Sequence, residues 1–299
     1  MTADPPPTHR GAGRFAPSPS GDLHIGNLRT ALLAWLWARS TGRRFVLRID
    51  DLDRVRAGAE ARQLADLTAL GLDWDGPILR QSSRLDVYRD AVSMLTDADR
   101  TYPCFCTRRE IQDAPSAPHV PPGTYPGTCR ELTPDEVSAR SAERPAALRL
   151  RADVSKWSID DERHGTVKGP VDDFVLVRND GVPAYNLTVV VDDDAQGVDQ
   201  VVRGDDLLTS APRQAYLANL LGLAAPTYVH VPLALNREGA RLAKRDGAVT
   251  WTELESRGLD PFRLIADSLG LAGSSPTDLL ASFDPASVPE EPWVFEPSA

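Results

Sequence analysis

The sequence predicts an α/β fold built on a parallel sheet. Three observations carry that expectation. Strand-like and helix-like segments alternate from Arg14 onward. A Pro- and Gly-punctuated turn, Pro17 to Gly21, feeds straight into an apolar helix. Over 299 residues, 41% hydrophobic and 25% charged content suits a globular chain with a sizeable core. No run of about eighteen apolar residues occurs, so no membrane span is expected.

Taken in order, residues 1–12 are Pro-rich, lack the apolar region of a secretory signal and read as a disordered lead-in. Residues 13–101 supply strand Arg14–Ala16, helix 24–40, strand Arg44–Asp50, helix Gly58–Leu70 and a helix from about Arg84 to Ala98. In the last of these, Leu85, Tyr88, Val92 and Leu95 share one face. Residues 102–172 change character and read as an insert. They hold all three cysteines around the Pro-rich run Asp113–Gly127, then a short helix and strand Ala147–Arg151. Residues 173–250 resume the alternation. Asp173–Val177, the turn Arg178-Asn179-Asp180-Gly181 and Ala184–Val191 read as a hairpin. Strand Gln200–Arg203, helix Leu207–Leu221 and strand Tyr228–Leu235 lead to the loop Asn236–Gly247. Residues 251–299 form a helical piece, with helices at about 250–257 and 261–270. Its Pro-rich tail is pinned by Trp293 and Phe295.

A net charge of −10 argues against non-specific coating of nucleic acid. It leaves room for a local basic surface at Arg39, Arg43, Arg44, Arg48, Arg54 and Arg56, whereas Leu271–Ala299 carries acids and no Lys or Arg. Three cysteines are too few for a disulfide framework, so reduced thiols and a cytoplasmic location are expected.

Three constellations can carry chemistry. In Arg14–Asn27 a turn enters a helix N-terminus, whose unpaired N–H groups and positive dipole end suit an anion, most often a phosphate. His24 and Gly26 stand in its first turn; the plainer reading is a loop before a buried helix, with His24 a cap. The second is Lys244, in Arg241-Leu242-Ala243-Lys244-Arg245-Asp246-Gly247. Of the 33 basic residues only Lys156, Lys168 and Lys244 are lysine. A compact ammonium suits the charge of a phosphoryl transition state, though a solvated loop would look similar. The third is Cys104-x-Cys106 with Cys129. Zn²⁺ usually takes four ligands, so His119, Tyr125 or water would complete the set; otherwise these are three reduced thiols. Asp192, Asp193 and Asp194 read as a solvated turn with one buried capping Asp rather than a metal site. His9 lies in the lead-in, His164 reads as a loop residue and His230 as a strand-end residue.

The first two constellations resemble the HIGH-type and KMSKS-type motifs of class I aminoacyl-tRNA synthetases, in Pro17–Asn27 and Arg241–Arg245. The glutamyl subgroup is resembled by Arg14-Phe15-Ala16-Pro17-Ser18-Pro19-Ser20-Gly21, Leu47-Arg48-Ile49-Asp50-Asp51-Leu52-Asp53 and Ala184-Tyr185-Asn186-Leu187. Val201-Val202-Arg203-Gly204-Asp205-Asp206 and Leu242-Ala243-Lys244-Arg245-Asp246-Gly247 extend the match over roughly residues 14–297. The chain stops soon after the KMSKS-type loop, so it resembles the short glutamyl-Q tRNA(Asp) synthetase family, which lacks an anticodon-binding domain. Rival readings are a truncated glutamyl-tRNA synthetase charging the acceptor end and a silent nucleotide- or tRNA-binding module.

The resemblance implies a Rossmann-like catalytic domain with a zinc-bearing insert and a short helical C-terminal piece. It implies ATP-dependent activation of L-glutamate without tRNA, then transfer to the queuosine base of tRNA(Asp), by a monomer. Glutamate would be bound by Arg14, Phe15, Ala16, Pro17, Ser18, Asp50, Tyr185 and Arg203. ATP, with Mg²⁺, would meet His24, Gly26, Asn27 and Lys244, of which His24 and Lys244 are catalytic. One structural Zn²⁺ would sit on Cys104, Cys106, Tyr125 and Cys129. Three positions depart from the family pattern. Asp50 stands for Glu, so its carboxylate would reach the substrate ammonium through water or share it with Asp51. Asn27 stands for the last histidine of HIGH, and Ala243 for the serine of KMSKS.

Overall fold

Residues 11–112, 125–242 and 249–296 are described by a computed structural model of the chain. The first strand, β1 (Ala12–Phe15), enters the turn that caps α1 (Ile25–Ser40). From Ala31 to Ala38 every residue of α1 is buried. A helix apolar all round needs cover on every side, and its neighbours come from the sheet on one side and the C-terminal helices on the other. The chain continues through β2 (Arg44–Ile49), α2 (Ala59–Ala69), β3 (Leu79–Arg80) and α3 (Leu85–Asp97). On α3 the buried positions are Tyr88, Ala91 and Leu95, while Leu85 is exposed, because the helix is rotated to aim Tyr88 inward.

The insert comprises β4 (Thr101–Cys104), α4 (Arg108–Gln112), α5 (Pro134–Glu143) and β5 (Ala147–Leu150). A hairpin follows, β6 (Lys156–Asp161) and β7 (Gly165–Pro170), then β8 (Val175–Val177). β4, β5 and β8 form a three-stranded antiparallel sheet. The hairpin, in residues expected to belong to the insert, instead extends the main sheet: β6 lies parallel to β10 (Thr227–Val231).

After β8 come α6 (Tyr185–Ala195), β9 (Val198–Gly204), α7 (Ala211–Leu220), the strand β10 and β11 (Ala234–Leu235). The C-terminal part holds α8 (Trp251–Ser256), α9 (Pro261–Ser268), α10 (Pro276–Ala281) and β12 (Trp293–Val294). β12 pairs with β11, so Trp293 and Phe295 do pin the tail.

Among the described residues the main sheet has the order β3-β2-β1-β9-β10-β6-β7, parallel except for the β6–β7 pair. The expected parallel α/β architecture is therefore present. β1 and β9 are neighbours at the centre, and their chains leave toward opposite edges. That is a topological switch point, where the carboxyl ends of open α/β sheets leave a crevice.

Several expectations change. The second arm of the hairpin is the helix α6, because Leu187 and Val189–Val191 pack into a helical layer with α3 and α7. The helix expected over Leu207–Leu221 begins only at Ala211, with Pro212 in its first turn and a 3₁₀ segment, Asp205–Ser210, before it. Pro232 lies in the break between β10 and β11, within the strand expected over Tyr228–Leu235. Ala12, assigned to the lead-in, belongs to β1. The Asp192–Asp194 run ends α6 rather than forming a solvated turn; Asp192 and Asp193 are both buried. Arg48 is fully buried in β2 and leaves the basic surface expected of it.

Candidate active site

The turn between β1 and α1 is held from both sides. Asp50 N–H donates to the Pro17 carbonyl at 3.0 Å, and Gln63 of α2 donates to the Ser18 and Gly21 carbonyls at 3.0 and 2.6 Å. At its end His24 caps α1. Nδ1 accepts from Asn27 N–H at 3.2 Å, and Asn27 Oδ1 accepts from His24 N–H at 3.2 Å. With Nδ1 an acceptor, the neutral ring carries its proton on Nε2. The expected cap is therefore present, and it is compatible with the anion-binding reading. A Cβ on Gly26 would meet Ala234 Cβ at 2.7 Å, so close approach of α1 to β11 already requires glycine there.

The KMSKS-type residues 243–248, including Ala243 and Lys244, lie outside the described residues. One flank of that segment meets the His24 turn directly and the other through Ala234. Leu242 N–H donates to the Ala234 carbonyl at 3.1 Å, next to Gly26, while Ile25 N–H donates to the Val249 carbonyl at 2.7 Å and His24 bridges to Thr250. Residues more than two hundred positions apart are thereby brought to one end of the sheet.

The residues expected to bind glutamate divide into three groups. Ser18, Asp50 and Tyr185 line an open cleft of about 860 Å³, together with Gln81, Thr188 and, from the insert, Cys104–Arg108 and Arg149. Tyr185, which alone would read as a hairpin core residue, is the first residue of α6 and 43% exposed. Phe15 and Ala16 are half-buried and Pro17 is buried. Arg14 and Arg203, 5% and 4% exposed, lie close enough to repel one another. Arg14 donates to the Val202 carbonyl at 3.2 Å and its Nε stands 3.5 Å from Asp193 Oδ1. Burial, opposed by Asp193, leaves its guanidinium below the usual range.

Asp50 does not stand alone. Arg48 donates Nε to Asp50 Oδ1 at 2.7 Å and NH1 to Asp193 Oδ1 at 2.6 Å, with Asp192 Oδ2 at 3.9 Å from Nε. Burial raises the Asp50 carboxyl above its ordinary value against the pull of Arg48. Burial also opposes charge on Arg48, yet Asp50 and Asp193 hold it well above the usual range. Asp51 accepts from Ser82 N–H and Oγ at 2.8 and 2.5 Å and is committed to that turn. Arg48, Asp192 and Asp193 were missed as site residues. For Arg48 the sequence carries a signal: in the strand expected over Arg44–Asp50 it stands two residues from Asp50 and so shares a face with it.

In the insert, the sulfurs of Cys104, Cys106 and Cys129 lie within 4.8 Å of one another. Cys106 and Cys129 are 3.6 Å apart, and the Tyr125 hydroxyl is 3.4 Å from Cys104 Sγ. Thiolates on a tetrahedron with bonds of about 2.3 Å would stand roughly 3.8 Å apart, so the cluster fits zinc. Tyr125 also accepts from Cys129 N–H at 2.8 Å and carries Arg149 over its ring at 3.7 Å. The rival ligand His119 lies outside the described residues.

Residues 12–290 match the family model of the class I tRNA synthetases (E and Q), catalytic domain. The glutamyl-Q tRNA(Asp) synthetase of Nocardia farcinica is 64% identical over 293 residues, covering 97% of this chain and 94% of that one. The chain belongs to the class I tRNA synthetases (E and Q), among the glutamyl-Q tRNA(Asp) synthetases. The protein so named in Deinococcus radiodurans is 49% identical over 266 residues, 85% of this chain and 86% of that one. Among solved structures, a glutamate tRNA ligase from Elizabethkingia meningosepticum, in complex with its amino acid, superposes with a TM-score of 0.81. It is 27% identical and covers 97% of this chain and 68% of that one. The expected class I synthetase fold and ligase class are thus borne out, and no helix among the described residues is long and apolar enough to cross a membrane.

Proposed function

We propose that the protein activates L-glutamate with ATP, without tRNA, and transfers it to the queuosine base of tRNA(Asp). The observation that carries this is the convergence, at one end of the sheet, of the His24 turn, both flanks of the Lys244 loop, and the buried Arg14 and Arg203. The names of its relatives supply the acceptor.

Two guanidiniums, Arg14 and Arg203, pair the two carboxylates of glutamate, Asp50 takes the ammonium, and Tyr185 closes over the stem. The α-carboxylate then attacks the α-phosphorus of ATP in line, forming a C(O)–O–P bond as the bond to pyrophosphate breaks. Catalysis is positioning and electrostatics: His24, the α1 N-terminus and Lys244 hold phosphate oxygens. The Mg²⁺ that accompanies ATP supplies charge neutralisation for the pyrophosphate. A hydroxyl of the queuosine ring attacks the adenylate carbonyl and AMP leaves. The insert, stapled by Zn²⁺ on Cys104, Cys106, Cys129 and Tyr125, forms the cleft wall facing the tRNA.

Glutamate-dependent ATP–pyrophosphate exchange without tRNA tests the first half, and labelled glutamate with tRNA(Asp) carrying or lacking queuosine tests the second. Lys244→Ala is expected to slow exchange roughly 10²-fold or more. Label on the acceptor end, or label independent of queuosine, would overturn the acceptor; no exchange in the wild type would overturn the enzyme.

A further inference from the structure

The two buried guanidiniums of the site are held in different ways. Arg14 has a carboxylate beside it, Asp193 at 3.5 Å. Arg203 has only neutral acceptors among the described residues: Nε donates to His230 Nε2 at 3.0 Å, NH1 to Gln214 Oε1 at 2.8 Å and NH2 to the Leu207 carbonyl at 3.4 Å. Its guanidinium lies over the Tyr228 ring at 5.2 Å.

An arginine cannot accept a hydrogen bond, so His230 Nε2 must, and the proton of the neutral ring then sits on Nδ1. Nδ1 is 2.6 Å from Asp161 Oδ2, and both residues are almost wholly buried. Burial, opposed by the Asp161 bond and reinforced by nearby Arg203, lowers the proton affinity of His230. The other Asp161 oxygen accepts from the N–H groups of Arg163 and His164, each at 3.0 Å, and lies 2.9 Å from His164 Nδ1. Although burial opposes it, bonds from His230 and His164 hold the Asp161 carboxyl down to about 2. A full negative charge thus stands one imidazole away from Arg203.

We propose that Asp161 and His230 are positioning residues for Arg203, a carboxylate–imidazole–guanidinium chain that fixes the plane of the guanidinium while leaving its charge for a substrate carboxylate. A carboxylate bonded directly to Arg203 would orient it equally well but would compete with the substrate for it. Gln214 obeys the same rule. Its Oε1 accepts from Arg203, and its amide direction is set by donation to Asn186 Oδ1 at 3.1 Å, beside Tyr185 on α6.

This inference rests on the glutamate reading of the site, and the two fail separately. Wild-type protein without glutamate-dependent exchange sinks that reading before any variant is made. Given exchange, three full-length variants are compared by titrating glutamate and ATP. His230→Gln can offer an oxygen where Nε2 stood, whereas His230→Asn fills only the end that faces Asp161. His230→Asn is expected to raise KM for glutamate about tenfold with KM for ATP unchanged, and His230→Gln to recover most of the loss. Gln214→Glu, which hands Arg203 a carboxylate, is expected to raise KM for glutamate by a similar factor. A merely structural His230 would be served better by Asn, which keeps the Asp161 bond. Equal effects of Gln and Asn, or wild-type glutamate KM in Gln214→Glu, overturn the proposal. Should His230→Asn not fold, Gln214→Glu decides alone.

Discussion

Arg48 is the residue on which the polar interior turns. It is wholly buried and bonded to Asp50 and Asp193, with Asp192 at 3.9 Å. Removing one member of such a cluster leaves buried charge uncompensated, which costs more than the cluster contributes. Arg48→Ala is expected to destabilise the protein by about 3–5 kcal/mol in urea melts. A loss under 1 kcal/mol would mean the carboxylates find other partners, by the same principle. Asp66 illustrates the opposite sign. Partial burial, with Asp22 nearby, raises its carboxyl to about 6. A raised acid binds its proton more tightly when folded, so stability falls as pH climbs from about 4 to 6 and stays lowered above. Asp66→Asn should therefore stabilise at pH 8, by under about 1 kcal/mol because the group is only partly buried and screened by solvent, with the gain gone at pH 4. Melts at the two pH values check it. Residue by residue, the candidate site was legible where a motif named a position: Arg14, His24, Asp50, Tyr185. Arg48 was legible only through its spacing to Asp50; Asp193 and Gln214 were not legible, because their importance lies in whom they touch, and for Asp193 a partner 145 residues away leaves no local pattern. His230 was half legible, as a polar residue between Val229 and Val231 in a buried strand.

At the scale of elements, α6 is the instructive case. Thr188-Val189-Val190-Val191 has strand propensity, but tertiary packing overrides it. The helix also has a geometric use. Adjacent residues on a strand point to opposite faces, whereas on a helix they diverge by about 100°. Asp192 can therefore meet Arg84 and Tyr88 while Asp193 meets Arg14 and Arg48. The insert was legible in its cysteines, but the hairpin that follows it was not, since β6 and β7 are mostly exposed or half-buried, with burial only at Ile159, Asp161 and Gly169. If Cys104, Cys106 and Cys129 hold zinc, elemental analysis should give one ion per chain. Chelation or Cys106→Ser should then lower the melting temperature and impair transfer to tRNA while exchange persists. Metal-free protein with unaltered melting would refute the staple.

For the whole molecule, alternation of elements made the parallel sheet legible, but strand order was not. Order follows from which elements cover α1, and that is a long-range fact. β1 pairs with β2 on one side and, across the centre, with β9, where Gly13 faces Gln200. The Asp161–His230–Arg203 chain spans three neighbouring strands, from β6 through β10 to β9. The β1–β9 seam also has a consequence in time. A ribosome emits residues 25–40, among the most apolar of the chain, long before it reaches β9 on one side of them and α9 and α10 on the other. Until then α1 has no full cover, and pairing across such a separation is slow to nucleate. The nascent protein therefore carries a sticky helix through most of its own synthesis, and its yield in a cell should depend on what shields that helix while the second half is being made.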